Sequence, residues 1–328
     1  MRGSEVTQKA VLVSVIIPAY RAAQTIAATL DSVLTQTFQD FEIIVVNDGS
    51  PDRDELEKVL APYWDRIIYL QQDNQGLAGA RNTGIRAARG EYVALLDADD
   101  LWDPEHLAAQ LAVLQADPSI DMVYADAVII GDVPERGRTV MELCPSSGDA
   151  TFERLVLRQC TVQGCVSVVR RKTLVDAGLF DPALRVTEDI DMWLRIARQG
   201  GRIAYQRRVL GKYRRHAGSL SSDLVRMIEG LLTVLAKAAR DPRTTAAQQR
   251  AIAQECLVQR TRLAFAKGKQ AFLAGETEAA IRHLTQFNAG SRSVKLAMVL
   301  LLLRVAPHFV RTLYQWRDRY IYKLKTVS

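Results

Sequence analysis

Hydrophobic and polar positions alternate between two periods over the first 130 residues. Short apolar, β-branched runs at Leu12–Ile17, Phe41–Val46, Ile67–Leu70, Tyr92–Leu96 and Met122–Ala125 predict buried strands. Between them, Ala22–Gln36 places Ile26, Leu30, Val33 and Leu34 at helical spacing, and Pro51–Ala61, Leu77–Ala88 and Glu105–Leu114 read as further helices. Strand–helix alternation with short links implies right-handed crossovers and a mostly parallel α/β sheet with helices on both faces. Ligands of such sheets bind beyond the carboxyl ends of the strands. Three polar clusters fall there: Pro18-Ala19-Tyr20, Asn47-Asp48-Gly49-Ser50 and Asp97-Ala98-Asp99-Asp100.

The pattern then becomes mixed. Cys165–Val169 and Arg202–Tyr213 read as strands, and Thr187–Gln199 as a helix with Ile190, Trp193, Leu194 and Ala197 on one face. After about residue 223 the chain reads as helical throughout, giving an expected division into 1–222 and 223–328. Within the second part, Ala264–Phe287 flanks Gly275-Glu-Thr-Glu and resembles one helical hairpin of the tetratricopeptide kind, with no second copy following.

Composition sharpens the division. The 328 residues carry a net charge of +6, but residues 1–225 sum to −6 and residues 226–328 to +12. A basic tail points to an anionic partner. From Arg292 to Ser328 eight Lys and Arg stand against one acid, Asp318, and are mixed with Val299–Leu303, Val305, Phe309, Leu313, Tyr314 and Trp316. That mixture suits an anionic bilayer surface, and equally a helix packed on the first domain or on a second copy in a homodimer. It lacks the helix-turn-helix and RNA-binding signatures, so no nucleic-acid partner is expected. The four cysteines match no zinc spacing or disulfide scaffold, and a reducing, cytoplasmic location is expected. No signal peptide is read at the start, and the apolar run Leu296–Leu303 is far below the ~20 residues of a spanning helix.

Several residues can carry chemistry. Asp97, Asp99 and Asp100 at a strand end repel one another unless solvated or bound to a cation, and clustered oxygens suit Mg²⁺ or Mn²⁺. The plain alternative is a solvated turn capping the next helix. Asp48 can accept hydrogen bonds from a ribose or base, or simply form a turn. Asn74-Gln-Gly76 and Gly79-Ala-Arg81-Asn82 put glycines and a planar cation at a helix start, where phosphate can bind, although packing explains the glycines as well. Glu188-Asp189 opens a helix behind Thr187, a fair N-cap. The pair can be a general base or an ordinary response to the helix dipole. At Asp189 that dipole would lower the pKa and Glu188 would raise it. Arg214-Arg215-His216 precedes a small-residue loop, 217–221, that can close on phosphates, with His216 a possible metal ligand. His106, His283 and His308 lack such context and read as structural. No nucleophile elbow or Ser/His/Asp order stands out.

In this order and spacing, Val13-Ser-Val-Ile-Ile-Pro-Ala-Tyr20, Asn47-Asp-Gly-Ser50, Ala80-Arg-Asn82, Gly90–Asp100 and Thr187-Glu-Asp189 resemble the family 2 glycosyltransferases over roughly residues 12–222. The resemblance implies a GT-A fold and inverting transfer from a nucleotide-sugar donor, UDP-linked by preference, to a glycan or lipid-linked acceptor, in polysaccharide biosynthesis. By the same resemblance Pro18, Ala19 and Tyr20 frame the base and Asp48 contacts the nucleoside. Arg81 lies near the base and phosphates. Asp97, Ala98 and Asp99 form the DxD motif, with Asp99 contacting Mn²⁺ or Mg²⁺ and His216 as a further ligand. Asp189 of the Glu188–Asp189 pair is the base. Spanning helices and the Gln-x-x-Arg-Trp motif of processive synthases are missing, which implies transfer of one sugar, in the cytoplasm or on the cytoplasmic face of the inner membrane. The alternatives are a sugar nucleotidyltransferase, against which Pro18–Arg21 stands where a Gly-rich basic loop is needed, and a scaffold with a degenerate transferase domain.

Overall fold

The computed structural model describes residues 11–216, 218–219 and 222–314. These divide between two compact units, one drawn from Met1–Ser222 and Thr233–Ile252, the other from Asp223–Leu232 and Ala253–Ser328. The first unit opens with β1 (Val13–Ala19), α1 (Ile26–Leu34), β2 (Phe41–Asp48), α2 (Arg53–Leu60), β3 (Ile68–Gln72), α3 (Gly76–Ala87), β4 (Tyr92–Leu95), β5 (Leu101–Trp102), α4 (His106–Ala116) and β6 (Ile120–Ile130). It continues with α5 (Val140–Leu143), α6 (Phe152–Val156), β7 (Ser167–Arg170), α7 (Arg171–Asp176), α8 (Glu188–Arg198) and β8 (Arg202–Arg214).

The eight strands form one sheet in the order β3-β2-β1-β4-β7-β6-β8-β5. Six run in one direction, and β7 and β5 run against them. The expected mostly parallel α/β sheet is therefore present. Val13, Val15 and Ile17 of β1 pack in one cluster with Ile26 and Leu30 of α1 and Leu107 of α4. On the other face Ile16 meets α3, where a Cβ on Gly84 would stand 2.4 Å from its Cγ2. Pro18 is tolerated in this central strand because β4 pairs only as far as Ile16, so no ladder bond is lost.

Two local readings need correction. Ala22–Thr25 is a turn rather than the first turn of a helix: Ser50 Oγ accepts from Arg21 N–H (2.6 Å) and Asp52 from Ala23 N–H (3.2 Å), tying this stretch to the end of β2. The strand read at Met122–Ala125 extends to Ile130. Asp126 lies within it: this residue is buried, its Oδ1 accepts from Ala127 and Met141 N–H (2.8 and 3.1 Å), and register shifts at 125–127 absorb it. The short strand β5 and helices α5, α6 and α7 carry too few residues to show a period.

In the other unit, α9 (Leu224–Arg240) and α10 (Ala246–Ala274) each contribute a part, followed by α11 (Thr277–Ser291) and α12 (Val294–Val305). Gly275 (φ +92°) ends α10 and makes the hairpin to α11 that the sequence predicted. Phe272, Ala280, Leu284, Leu300 and Leu303 form its core. Trp316 and Asp318 of the basic tail lie outside the described residues, as do Ala217, Leu220 and Ser221 of the small-residue loop.

β1 and the turn before β4 approach closely at Gly90, whose N–H donates to Ser14 Oγ (2.9 Å). A Cβ there would stand 2.6 Å from Ser14 N and 2.8 Å from Val13 C, both backbone atoms of a central strand. Gly90→Ala should therefore cost about 1–3 kcal/mol of stability, read as a lower urea midpoint with unchanged slope.

Candidate functional site

The strand ends bring the three polar clusters to one edge. β2 delivers Asp48, which is buried. Its Oδ1 accepts from Gln72 Nε2 (2.7 Å) and Gln75 N–H (2.8 Å), and its Oδ2 from Gly76 N–H (2.8 Å). Asn74 Nδ2 donates to the Asp48 carbonyl (2.9 Å). The amides at the start of α3, which the sequence left open for phosphate, are thus already held by a carboxylate, the partner that a helix N-terminus favours. Pro18 and Ala19 close β1 beside this cluster. Tyr20 is exposed, with the Arg21 guanidinium 5.5 Å from its ring centre.

α3 carries Arg81 inward. Its side chain is only 3% exposed, and it donates from Nη1 to Glu188 (2.8 Å) and from Nη2 to Asp97 (2.8 Å). Phe180 lies under the guanidinium, 5.4 Å to the ring centre. Burial works against this charge, but Asp97, Glu188 and Asp189 more than offset it and hold the group protonated. Arg81, expected near the base and phosphates, joins the turn after β4 to the start of α8. Removing one side of such a buried ion pair typically costs about 3–5 kcal/mol.

The turn after β4 holds the acid cluster. Asp97 gives Oδ1 to Arg81. Ala98 is buried, and its carbonyl accepts from Thr29 Oγ1 (3.0 Å). Asp99 is partly exposed, and among the described residues no side chain donates a hydrogen bond to it; burial, with Asp97 adding, pushes its carboxyl up to about 6. Asp100 is fully buried. Its Oδ1 accepts from Arg214 N–H (2.7 Å) while Oδ2 has no partner, and burial with Asp97 and Asp99 pushes it well above the carboxylate range. Arg214 Nε in turn donates to the Asp99 carbonyl (2.8 Å), so the end of β8 is fastened onto this turn.

That fastening brings His216 Nε2 to 4.0 Å from Asp99 Oδ2. Its Nδ1 accepts from Gly218 N–H (3.1 Å), which places the proton of the neutral ring on Nε2. In this tautomer Nε2 carries its proton on the side of Asp99, at a distance too long for a hydrogen bond between them. Among the described residues no three His, Cys, Asp or Glu converge as a metal-binding group, so Asp97, Asp99 and His216 do not form the three-donor set expected. Two carboxylates with free oxygens, Asp99 and Asp97, do fit a divalent ion completed by phosphate and water, the usual arrangement for Mg²⁺.

α8 begins with Thr187 in the left-handed region (φ +59°), buried, its hydroxyl donating to the Val186 carbonyl (2.6 Å). It does not cap the helix with its side chain, contrary to expectation. Glu188 is buried against Arg81; burial and Asp189 push its carboxyl up to about 7, against the pull of Arg81. Asp189 is half-buried and accepts only from Ile190 N–H (2.7 Å) among the described residues. Its pKa is raised: burial dominates, Asp97 adds, and Arg81 and Arg158 pull it back. The helix-end lowering expected from sequence is thus outweighed.

Two residues escaped the sequence reading. Arg158, exposed and in the left-handed region (φ +55°) after α6, acts on Asp189 through its charge, yet nothing marks it among the chain's many arginines. Cys165 lies beside Asp100, its thiol pushed far up by burial, and its carbonyl accepts from Trp102 Nε1 (2.7 Å). A strand-period apolar run hid it.

Comparison with known proteins gives a consistent picture. The family model "Glycosyl transferase family 2" matches residues 14–174. A glycosyltransferase of Rickettsia felis, described as uncharacterized, is 34% identical over 211 residues, 63% of this chain. The chain spans about a third of that relative's length (34%). The Escherichia coli UDP-Glc:alpha-D-GlcNAc-diphosphoundecaprenol beta-1,3-glucosyltransferase WfgD is 32% identical over 233 residues, covering 70% of this chain and 88% of the relative. Among solved structures, S. aureus TarS 1–349 in complex with UDP-GlcNAc superposes with a TM-score of 0.63 at 19% identity, over 94% of this chain and 92% of that one. The mannosyltransferase PcManGT from Pyrobaculum calidifontis, in complex with GDP-Man and Mn²⁺, gives 0.60 at 21% identity, over 93% and 87%. The fold is therefore the GT-A glycosyltransferase fold, and with the Asp97–Asp99 turn and the Glu188–Asp189 helix start facing one edge of its sheet, the chain belongs to glycosyl transferase family 2.

Proposed function

We propose that this protein transfers one sugar, with inversion, from a UDP-sugar to a hydroxyl of a lipid-linked glycan acceptor, with Asp189 as general base. The observation that carries the reading is the Asp97–Arg81–Glu188 bridge, which fixes a half-buried carboxylate at the start of α8 beside the acidic turn after β4. The E. coli relative's name gives UDP-Glc as donor and a diphosphoundecaprenol-linked GlcNAc as acceptor, and TarS binds UDP-GlcNAc; both support the donor class.

Asp189 takes the proton of the acceptor hydroxyl as the oxygen attacks the anomeric carbon, and the bond from that carbon to the diphosphate breaks on the opposite face. Its raised pKa makes it a stronger base than a free aspartate. Asp99 and Asp97 would hold Mn²⁺ or Mg²⁺, as Mn²⁺ in the PcManGT complex supports. Bound there, a divalent ion supplies positive charge to the leaving diphosphate. His216, with its proton on Nε2, would donate to the same phosphate oxygens.

Three outcomes are expected. Calorimetric titration of UDP should show binding with Mn²⁺ that EDTA abolishes, and Asp99→Ala should lose it; metal-independent binding would remove Asp99 from this role. Asp189→Asn should leave UDP binding intact and lower transfer about 10²- to 10⁴-fold. A base must be unprotonated, so kcat/KM rises with pH through its pKa. Arg158→Ala removes a charge that lowers that pKa, so the acid limb should move to higher pH, and a limb that stays or moves down contradicts the assignment.

A further inference from the structure

α12 lacks a polar side. At about 100° per residue, Val294, Met298, Leu301 and Val305 fall within one narrow stripe, and Leu296, Leu300 and Leu303 fall on the opposite side. The second set packs into the core with Leu284 of α11. The first faces solvent: Val294 is 74% exposed and Val305 78%. Phe309 and Leu313 continue the exposed apolar surface beyond α12. A helix apolar all round needs cover on both sides.

The charges say what covers it. Lys295 and Arg304 lie about 90° to either side of the stripe, both exposed and, among the described residues, without a carboxylate partner. Residues 292–314 contain four Lys and Arg and no acid. A second copy laid on this stripe would bring like charges together at its borders. An anionic lipid surface would neutralise them, while the long basic side chains extend to the headgroups. Among the described residues no helix is long and apolar enough to cross a membrane; a helix with one apolar stripe flanked by basic residues lies along the interface.

We propose that the outer face of α12 docks the protein on an anionic phospholipid bilayer, its apolar stripe entering the interface and Lys295 and Arg304 meeting the headgroups. This face serves attachment and rests on no part of the transfer chemistry.

Co-sedimentation of the full chain with phosphatidylcholine vesicles, with and without 30% phosphatidylglycerol, tests it, the lipid fraction being about the anionic content of a charged leaflet. Binding should require phosphatidylglycerol and weaken at high salt. Met298→Asp with Leu301→Asp should lower partitioning more than about tenfold, and Lys295→Gln or Arg304→Gln about fivefold each. Circular dichroism and UDP affinity of the variants, expected to be unchanged, separate loss of docking from misfolding and from failure of the transferase reading. Equal binding to neutral vesicles, no binding by the folded chain, or a dimer that Met298→Asp dissociates would each overturn the assignment.

Discussion

Arg81 lies out of water between Asp97 and Glu188, 2.8 Å from each, and neither the guanidinium nor the two facing carboxylates would be stable there without the others. The three come from different parts of the chain: a helix that packs on β1 and β2, the turn after β4, and the first residue of α8. Their mutual need therefore fixes the distance between the acidic turn and the helix that carries Asp189. The remaining order at this edge builds on it. Asp100 holds the end of β8 through Arg214, and Asp48 holds the start of α3 on which Arg81 rides.

The electrostatic balance of the edge follows. Asp97, Asp99, Asp100, Glu188 and Asp189 crowd into a partly dry space with one buried arginine among them. Burial lifts four of these carboxyls, Asp99, Asp100, Glu188 and Asp189, because one cation cannot compensate five anions. Such a site favours cationic company and would repel a bare diphosphate. A diphosphate and a divalent ion entering together suit it better than either alone.

Much of this was legible in the sequence. Short apolar runs gave the strands because they are buried on both faces, and the alternation with helices gave the parallel sheet and hence the edge where ligands sit. The motif residues Asp48, Arg81, Asp97, Asp99 and Asp189 do meet there. What the sequence withheld was how each spends its hydrogen-bonding capacity. Asp48 faces inward to its own loop, Arg81 is enclosed by acids, and His216 accepts the Gly218 N–H through Nδ1. These are questions of pairing across the fold, and spacing along the chain does not carry them. The extent of β6 was hidden for a related reason: the N–H groups of Ala127 and Met141 that hold the buried Asp126 carboxylate are set by the fold.

Thr187 gives the site a cost that stability measurements alone would misread. A β-branched residue in the left-handed region stores on the order of 1–3 kcal/mol, and here it sits directly before Glu188 and Asp189. Glycine at that position would relax the backbone. It would also free the first turn of α8 to rotate, taking Glu188 off Arg81. A substitution that looks favourable from backbone conformation alone would therefore loosen the pairing that holds Glu188 and Asp189 beside the acidic turn.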